Sequence, residues 1–60
     1  MLEIRVETGN AAFGDTPEEA LAESARILRV VAGGMEAGSL SGAVQDANGN
    51  TVGKWELNAE

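Results

Sequence analysis

The sequence contains no cysteine, no histidine and no tyrosine among its 60 residues. Without cysteine, the chain has no disulfide framework, no thiol nucleophile and no thiolate metal site. Histidine is the commonest general base near neutral pH and the commonest metal ligand. Its absence removes most catalytic and metal-binding arrangements, so we expect a protein that is not an enzyme and holds no metal or cofactor.

Long apolar runs are also missing. No segment approaches the ~20 consecutive apolar residues that a bilayer-spanning helix needs. The N-terminal residues "MLEIRVETG" alternate apolar with charged types, unlike the basic-then-apolar layout of a signal peptide. We therefore expect a cytoplasmic protein without membrane contact, forming a single small domain over residues 1–60.

Acidic residues outnumber basic ones by ten to four, which gives a net charge of −6. This balance argues against direct binding to nucleic-acid phosphates and favours attraction to a basic partner. Solubility alone explains the same charge, because a small acidic domain needs no partner to account for it.

The chain begins with a strand pattern and continues with a helix pattern. Residues 2–8 alternate, which predicts a half-buried strand with Leu2, Ile4 and Val6 on the core face. Thr16-Pro17-Glu18-Glu19 predicts a helix start, with a capping threonine, a proline at the first position and a capping-box glutamate. Gly38 is the predicted helix end.

The helix is predicted to bury one broad stripe. Its members are Ala20, Leu21, Ser24, Ala25, Ile27, Leu28, Val31, Ala32 and Met35. Val30 lies off the stripe and is predicted to be exposed.

The last third of the chain, "SLSGAVQDANGNTVGKWEL", predicts a hairpin. Asn48-Gly49 suits a type I′ turn, in which both central residues need a positive φ. The resulting register pairs Val44 with Gly53, Gly42 with Trp55, and Leu40 with Leu57. Trp55 then has room to lie over Gly42 on the core face.

These elements predict an α+β fold of the order strand, helix, strand, strand, with one helix packed on a three-stranded sheet. We expect the third strand in the middle, giving the order 2-3-1, with strand 1 antiparallel to strand 3. Strands 1 and 2 are then parallel and joined by a right-handed helical crossover.

The segment from Asp46 to Asn50 has the D-x-N-x-N spacing that begins a calcium loop. Thr51 stands where such a loop needs glycine, and Leu57 stands where it needs a bidentate glutamate. The hairpin turn explains the segment better.

Acidic residues gather near the start of the helix. The predicted partner-binding carboxylates are those of Glu7, Asp15, Glu18, Glu19 and Glu23. Carboxylates three or four positions apart on a helix lie ~5–6 Å from each other and could engage a row of Lys or Arg side chains. The alternative is an ordinary solvated helix start, which acidic residues favour.

Phe13 lies in the loop "TGNAAFGD" and is one of only two aromatic residues in the chain. One interpretation is that it closes the core beneath Leu21 and Trp55, in the manner of a hydrophobic staple. The other is that it is exposed and belongs to the partner-binding surface with the acidic residues.

The segments "NAAF", "ARILR" and "DANGNTVGKWEL" together resemble a family of very small phage and prophage proteins. That family has an N-A-A-F loop, a P-x-E-x-A-R-I-L-R type helix and a D-x-N-G-N-x-V-G-x-[WF]-E-[LI] hairpin, and the resemblance covers residues 2–57. Residues 30–34, "VVAGG", depart from its more charged helix end. Most members have no assigned role, but phage genes of this size and charge include anti-CRISPR proteins, some of which mimic nucleic acid.

Two function classes follow. The first is a monomeric anti-CRISPR protein whose acidic, nucleic-acid-mimicking surface blocks DNA binding by a type I effector complex, with subtype I-C as the example. Its partner is a basic nucleic-acid-binding protein. The second is a structural or accessory phage protein that self-associates through its exposed sheet edge or through Val30 and Val52.

Overall fold

The computed structural model describes residues 1–58, so the last two residues of the predicted domain lie outside the described residues. Its elements are β1 (Leu2–Val6), a short 3₁₀ turn (Ala11–Phe13), α1 (Pro17–Glu36), β2 (Ser41–Gln45) and β3 (Thr51–Leu57). The sheet order is β1-β3-β2, and both outer strands run antiparallel to β3. The predicted α+β fold and strand order are confirmed.

Both ends of α1 are fixed as the sequence predicts. The Thr16 hydroxyl accepts a hydrogen bond from the Glu19 backbone N–H and donates one to the Glu19 carboxylate, which satisfies one free N–H of the first turn. At the other end, Gly38 has a φ of 98°. The N–H groups of Gly38 and Ser39 return to the carbonyls of Met35 and Gly34, closing a Schellman motif.

The core lies between α1 and the sheet. Its buried apolar side chains are Phe13, Ile27, Val31, Val44, Val52 and Trp55. The predicted helix stripe is correct at its centre, but Leu21 and Leu28 are 70% and 50% exposed. Because the buried face is centred on Ile27 and Val31, the flank of α1 that carries these leucines lies outside the core.

The hairpin has the predicted register but a different turn. Val44 pairs with Gly53 and Gly42 with Trp55, and the Leu57 N–H donates to the Leu40 carbonyl. The type I′ prediction is wrong, because Asn48 does not have a positive φ.

Instead, the loop contains three residues, Ala47 to Gly49, between Asp46 and Asn50. The Asp46 N–H donates to the Asn50 carbonyl at 2.9 Å, and the Gly49 N–H donates to the Asp46 carbonyl at 3.0 Å. Gly49 alone takes the positive φ, at 84°. This is the type I turn followed by a glycine bulge that three-residue hairpin loops favour.

A bulge in β3 reverses the orientation of Val52. Val44 pairs with Gly53 but Gln45 pairs with Thr51, so β3 carries one extra residue at this point. Val52 is buried. The prediction that Val52 is exposed is therefore wrong, because strict alternation along β3 does not continue through the bulge.

Candidate functional site

The start of α1 and the hairpin loop lie at the same end of the domain. A carboxylate oxygen of Glu23, in the second turn of α1, accepts a hydrogen bond of 2.8 Å from the Ala47 backbone N–H. At the end of β1, the Glu7 N–H donates to the Val52 carbonyl beside the same loop. The structure therefore brings Glu7 and the acidic first turn of α1 to one end of the molecule.

Four of the predicted partner-binding carboxylates are exposed at this end, which we call the acidic end: Glu7, Asp15, Glu18 and Glu19. Among the described residues, no salt bridge involves any of the four. The Glu19 carboxylate accepts a hydrogen bond from the Thr16 hydroxyl, whereas the Glu18 side chain has no such bond among the described residues. The acidic end is a group of uncompensated charges in contact with solvent.

Glu23 does not belong to the acidic end, and its predicted exposure is wrong. The residue is 7% exposed. Its carboxylate accepts two hydrogen bonds from Arg26, at 2.7 Å from Nε and 2.9 Å from Nη2, in addition to the bond from Ala47. A bidentate, hydrogen-bonded carboxylate of this kind is structural, because it ties α1 to the hairpin loop.

Asp46 forms the centre of a second buried polar group. Its carboxylate accepts hydrogen bonds from the backbone N–H groups of Asn48 and Asn50, both at 2.9 Å, and from the side-chain amides of Asn10 and Asn50 at 2.7 and 3.3 Å. Among the described residues, no buried side-chain polar atom lacks a partner. The hairpin loop is thus organised around one carboxylate, as expected for an aspartate that bonds its own turn.

Both buried carboxylates have lowered pKa values. Hydrogen bonding from Arg26 is the main reason that the pKa of Glu23 falls below its ordinary value, against the opposing effect of burial. For Asp46, burial acts to raise the pKa, but the hydrogen bonds from Asn50, Asn10 and Asn48 together outweigh it and leave the pKa lowered. Both groups stay ionised at neutral pH and are unsuited to act as general acids there.

The first and last residues of the loop "NAAF", Asn10 and Phe13, attach the loop to the rest of the domain. The Asn10 side chain accepts a hydrogen bond from the Ala12 N–H at 3.0 Å, which caps the 3₁₀ turn, and donates to Asp46. Phe13 is only 1% exposed and lies in the core with Trp55. The core interpretation of Phe13 is confirmed, although Leu21, which was predicted to lie over it, is itself 70% exposed. An exposed contact role for Phe13 is wrong because its ring is fully buried.

The described residues contain no cluster of three or more acidic, histidine or cysteine side chains that could hold a metal ion. In the D-x-N-x-N segment, the Asp46 carboxylate is occupied by protein N–H donors. Within residues 1–58, no helix has the length and apolar character needed to cross a membrane.

Comparison with known proteins found no relative of this chain. No family model matches the sequence, and no curated protein or solved structure is significantly similar to it. A functional interpretation therefore starts from the residues themselves.

The contacts that bury the carboxylates of Glu23 and Asp46 were not predicted from the sequence. Asn10 lies 36 residues before Asp46, and Ala47 lies 24 residues after Glu23, so no local pattern links either pair. The pair of Glu23 and Arg26, by contrast, has the i,i+3 spacing of neighbours on a helix. The available signal was the D-x-N-G-N turn, in which the aspartate at the first position commonly bonds the following backbone N–H groups. The position of Glu23 on the flank of the stripe nearest Ile27 was a second signal.

Proposed function

We propose that this chain is a non-enzymatic, phage-encoded inhibitor whose acidic end occupies a cationic groove that normally binds nucleic acid. In its most concrete form it is an anti-CRISPR protein that prevents target-DNA binding by a type I effector complex, such as subtype I-C. The observation that carries the proposal is the exposure of four carboxylates without a salt bridge among the described residues, those of the acidic end, at one end of a small domain.

Three features support this interpretation. The net charge of −6 attracts a basic groove at long range. The bonds of Glu23 and Asp46 tie the start of α1 and the loop before it to the hairpin loop, so the backbone that carries most of the acidic end is already ordered before binding. The resemblance to small phage proteins supplies the biological setting in which such an inhibitor operates.

The test is a competition assay in which the purified chain and a labelled target DNA compete for a purified type I-C surveillance complex. The informative variant is Glu7→Lys/Glu18→Lys, because both residues are exposed and neither side chain holds the fold. Glu19 is avoided because its carboxylate accepts a hydrogen bond from Thr16, the residue that caps α1. The matched control is Glu36→Lys/Glu56→Lys, which changes the net charge equally at exposed positions outside the acidic end.

We expect the parent chain and the control to displace DNA with similar potency, and the Glu7/Glu18 variant to be at least about tenfold weaker, since several weak charges act together. Binding to the complex without DNA displacement contradicts the proposal. Equal inhibition by the Glu7/Glu18 variant contradicts it too.

A second candidate function is a small structural or accessory phage protein that acts through apolar contacts. Its specific support is the exposure of large apolar side chains, among them Leu2, Leu28, Val30 and Leu40. Val52 no longer contributes to this alternative because it is buried. Apolar contacts of this kind resist salt, whereas binding through the acidic end weakens steeply with salt.

A further inference from the structure

Strand β1 is an outer strand whose free edge is formed by three residues. Antiparallel strands alternate between residues that bond to the partner strand and residues whose N–H and C=O point away. The Glu7 N–H bonds to the Val52 carbonyl, and the Asn58 N–H bonds to the Met1 carbonyl, so the odd-numbered residues of this strand face β3. The backbone groups of Leu2, Ile4 and Val6 therefore point to the open edge.

The other outer strand, β2, has its edge partly covered. The Leu57 N–H bonds to the Leu40 carbonyl, so by the same alternation Gln45 directs its backbone outward. The Arg26 guanidinium donates to that Gln45 carbonyl at 3.3 Å, which is a common way of protecting a sheet edge with a charged side chain. No comparable bond covers β1 among the described residues.

The core face of β1 is also incompletely covered. Leu2 and Ile4 are 46% and 36% exposed although they alternate with Val6, which packs against the core. A strand edge that is unpaired and apolar is a template for pairing with another chain.

The outer face of the sheet carries a charge pattern that is unfavourable within one molecule. Glu3 lies opposite Glu56 and Arg5 lies opposite Lys54. Like charges directly opposite each other on neighbouring strands are destabilising. The remaining contact, between Arg5 and Glu3, is long at 3.9 Å and largely exposed, so it compensates little.

We propose that the β1 edge binds a second copy of this chain, in an antiparallel arrangement about a two-fold axis at Ile4. In that register Ile4 faces Ile4 of the second copy, and Leu2 faces its Val6. All the outward backbone groups of these residues then find partners, because residues of the same parity meet as hydrogen-bonded pairs. The contact is isologous and closes, and it produces one continuous six-stranded sheet.

The same register reverses the unfavourable charge pattern. Glu3 lies opposite Arg5 of the second copy, in a pair whose side chains approach closely because it is not hydrogen-bonded. Each like-charged pair, Glu3 with Glu56 and Arg5 with Lys54, is thereby placed beside the oppositely charged pair of the other copy. A register shifted by one residue loses this complementarity and turns Leu2 and Ile4 to the wrong face.

This proposal replaces the monomer expected from the sequence and does not depend on the proposed function. The sequence alone does not show which strand edge is free, since that depends on the bond from Arg26 to Gln45.

The test uses two charge reversals, Glu3→Arg and Arg5→Glu, studied by sedimentation velocity from about 10 μM to about 1 mM. Each reversal relieves a like-charge pair inside the monomer, so each variant should remain folded, which circular dichroism and thermal melting verify. Each variant alone places like charges opposite each other across the two-fold axis. An equimolar mixture restores opposite charges in a heterodimer, and the double swap Glu3→Arg/Arg5→Glu restores them in a homodimer.

We expect a concentration-dependent dimer for the parent chain, association weakened at least about tenfold for each single reversal, and recovery in both the mixture and the double swap. Glu36→Lys, which changes the net charge on α1 by the same amount as Glu3→Arg, should dimerise like the parent. A parent chain that stays monomeric throughout this range overturns the proposal. Dimers that survive either single reversal unchanged, or a mixture that fails to recover, also overturn it.

Discussion

The side-chain amide of Asn10 donates a hydrogen bond of 2.7 Å to the carboxylate of Asp46, 36 residues further along the chain. This bond joins the loop before α1 to the turn of the hairpin. It links the two most distinctive segments of the sequence, "NAAF" and "DANGN", in one structural unit. Both segments therefore contribute to the fold, and the surface available for binding lies elsewhere.

Replacement of Asn10 tests this link. Asn10→Ala removes both the cap of the 3₁₀ turn and the bond to Asp46, so the melting temperature should fall by several degrees. Asn10→Asp keeps the capping oxygen but places a carboxylate against Asp46, so it should be more destabilising than Asn10→Ala at neutral pH. Melting curves recorded at neutral and mildly acidic pH should show the extra penalty disappearing as the new pair gains a proton.

Stability should decrease in acid. The pKa values of Glu23 and Asp46 lie below their ordinary values of 4.5 and 3.8 in the folded chain, so the unfolded chain binds protons first. Their contribution is fully present above the ordinary values and is lost as the pH falls through the folded values. Urea midpoints measured from about pH 7 to about pH 3 should record this loss.

Isosteric amides provide the control for the acid effect. Glu23→Gln and Asp46→Asn should be less stable than the parent at neutral pH and should show a flatter decline in acid. Glu18→Gln, at an exposed carboxylate of the acidic end, is the control for the amide substitution itself and should leave the urea midpoint at neutral pH close to that of the parent. A parent whose urea midpoint does not change with pH contradicts the role given to the two buried carboxylates.

Phe13 should be one of the most sensitive core positions. Phe13→Ala removes a fully buried ring and should destabilise by about 3–5 kcal/mol, which is comparable with the total stability of a domain this small. Phe13→Leu keeps most of the volume and should leave a folded protein with a measurably lower urea midpoint. Leu21→Ala, at an exposed apolar position, should change the free energy of unfolding by less than about 1 kcal/mol. A loss comparable with that of Phe13→Ala would show that Leu21 covers the core.

Two glycines should respond in opposite directions to alanine. A Cβ at Gly53 would overlap the backbone carbonyl oxygen of Arg5, which cannot move without breaking the sheet, so Gly53→Ala should destabilise strongly. A Cβ at Gly33 meets nothing within 4 Å and lies inside α1, so Gly33→Ala should stabilise by about 0.5–1 kcal/mol. Thermal melting measures both effects. If Gly33→Ala lowers the melting temperature, the end of α1 is packed more tightly than the open space around Gly33 indicates.

Local signals determined most of the fold, and their failures have physical causes. Thr16 and Gly38 predict both helix ends because capping depends on neighbouring residues. The orientation of Val52 could not be predicted, because the bulge changes the alternation of buried and exposed residues along β3 and no particular residue type in this segment signals a bulge. The burial of Glu23 depends on Ala47, which comes close to it only in the folded chain, whereas Arg26 already lies one helical turn away. The acidic end was largely predictable, because exposed carboxylates at a helix start follow from capping and dipole preferences.

The most direct test of the proposed function is the affinity of the chain for the DNA-free type I-C complex as a function of salt, from about 50 mM to about 500 mM. If the acidic end occupies a cationic groove, the dissociation constant should rise steeply over this range, and Glu7→Lys/Glu18→Lys should show both weaker binding and a shallower dependence on salt. Absence of binding at low salt, or an affinity that is independent of salt, would contradict the account.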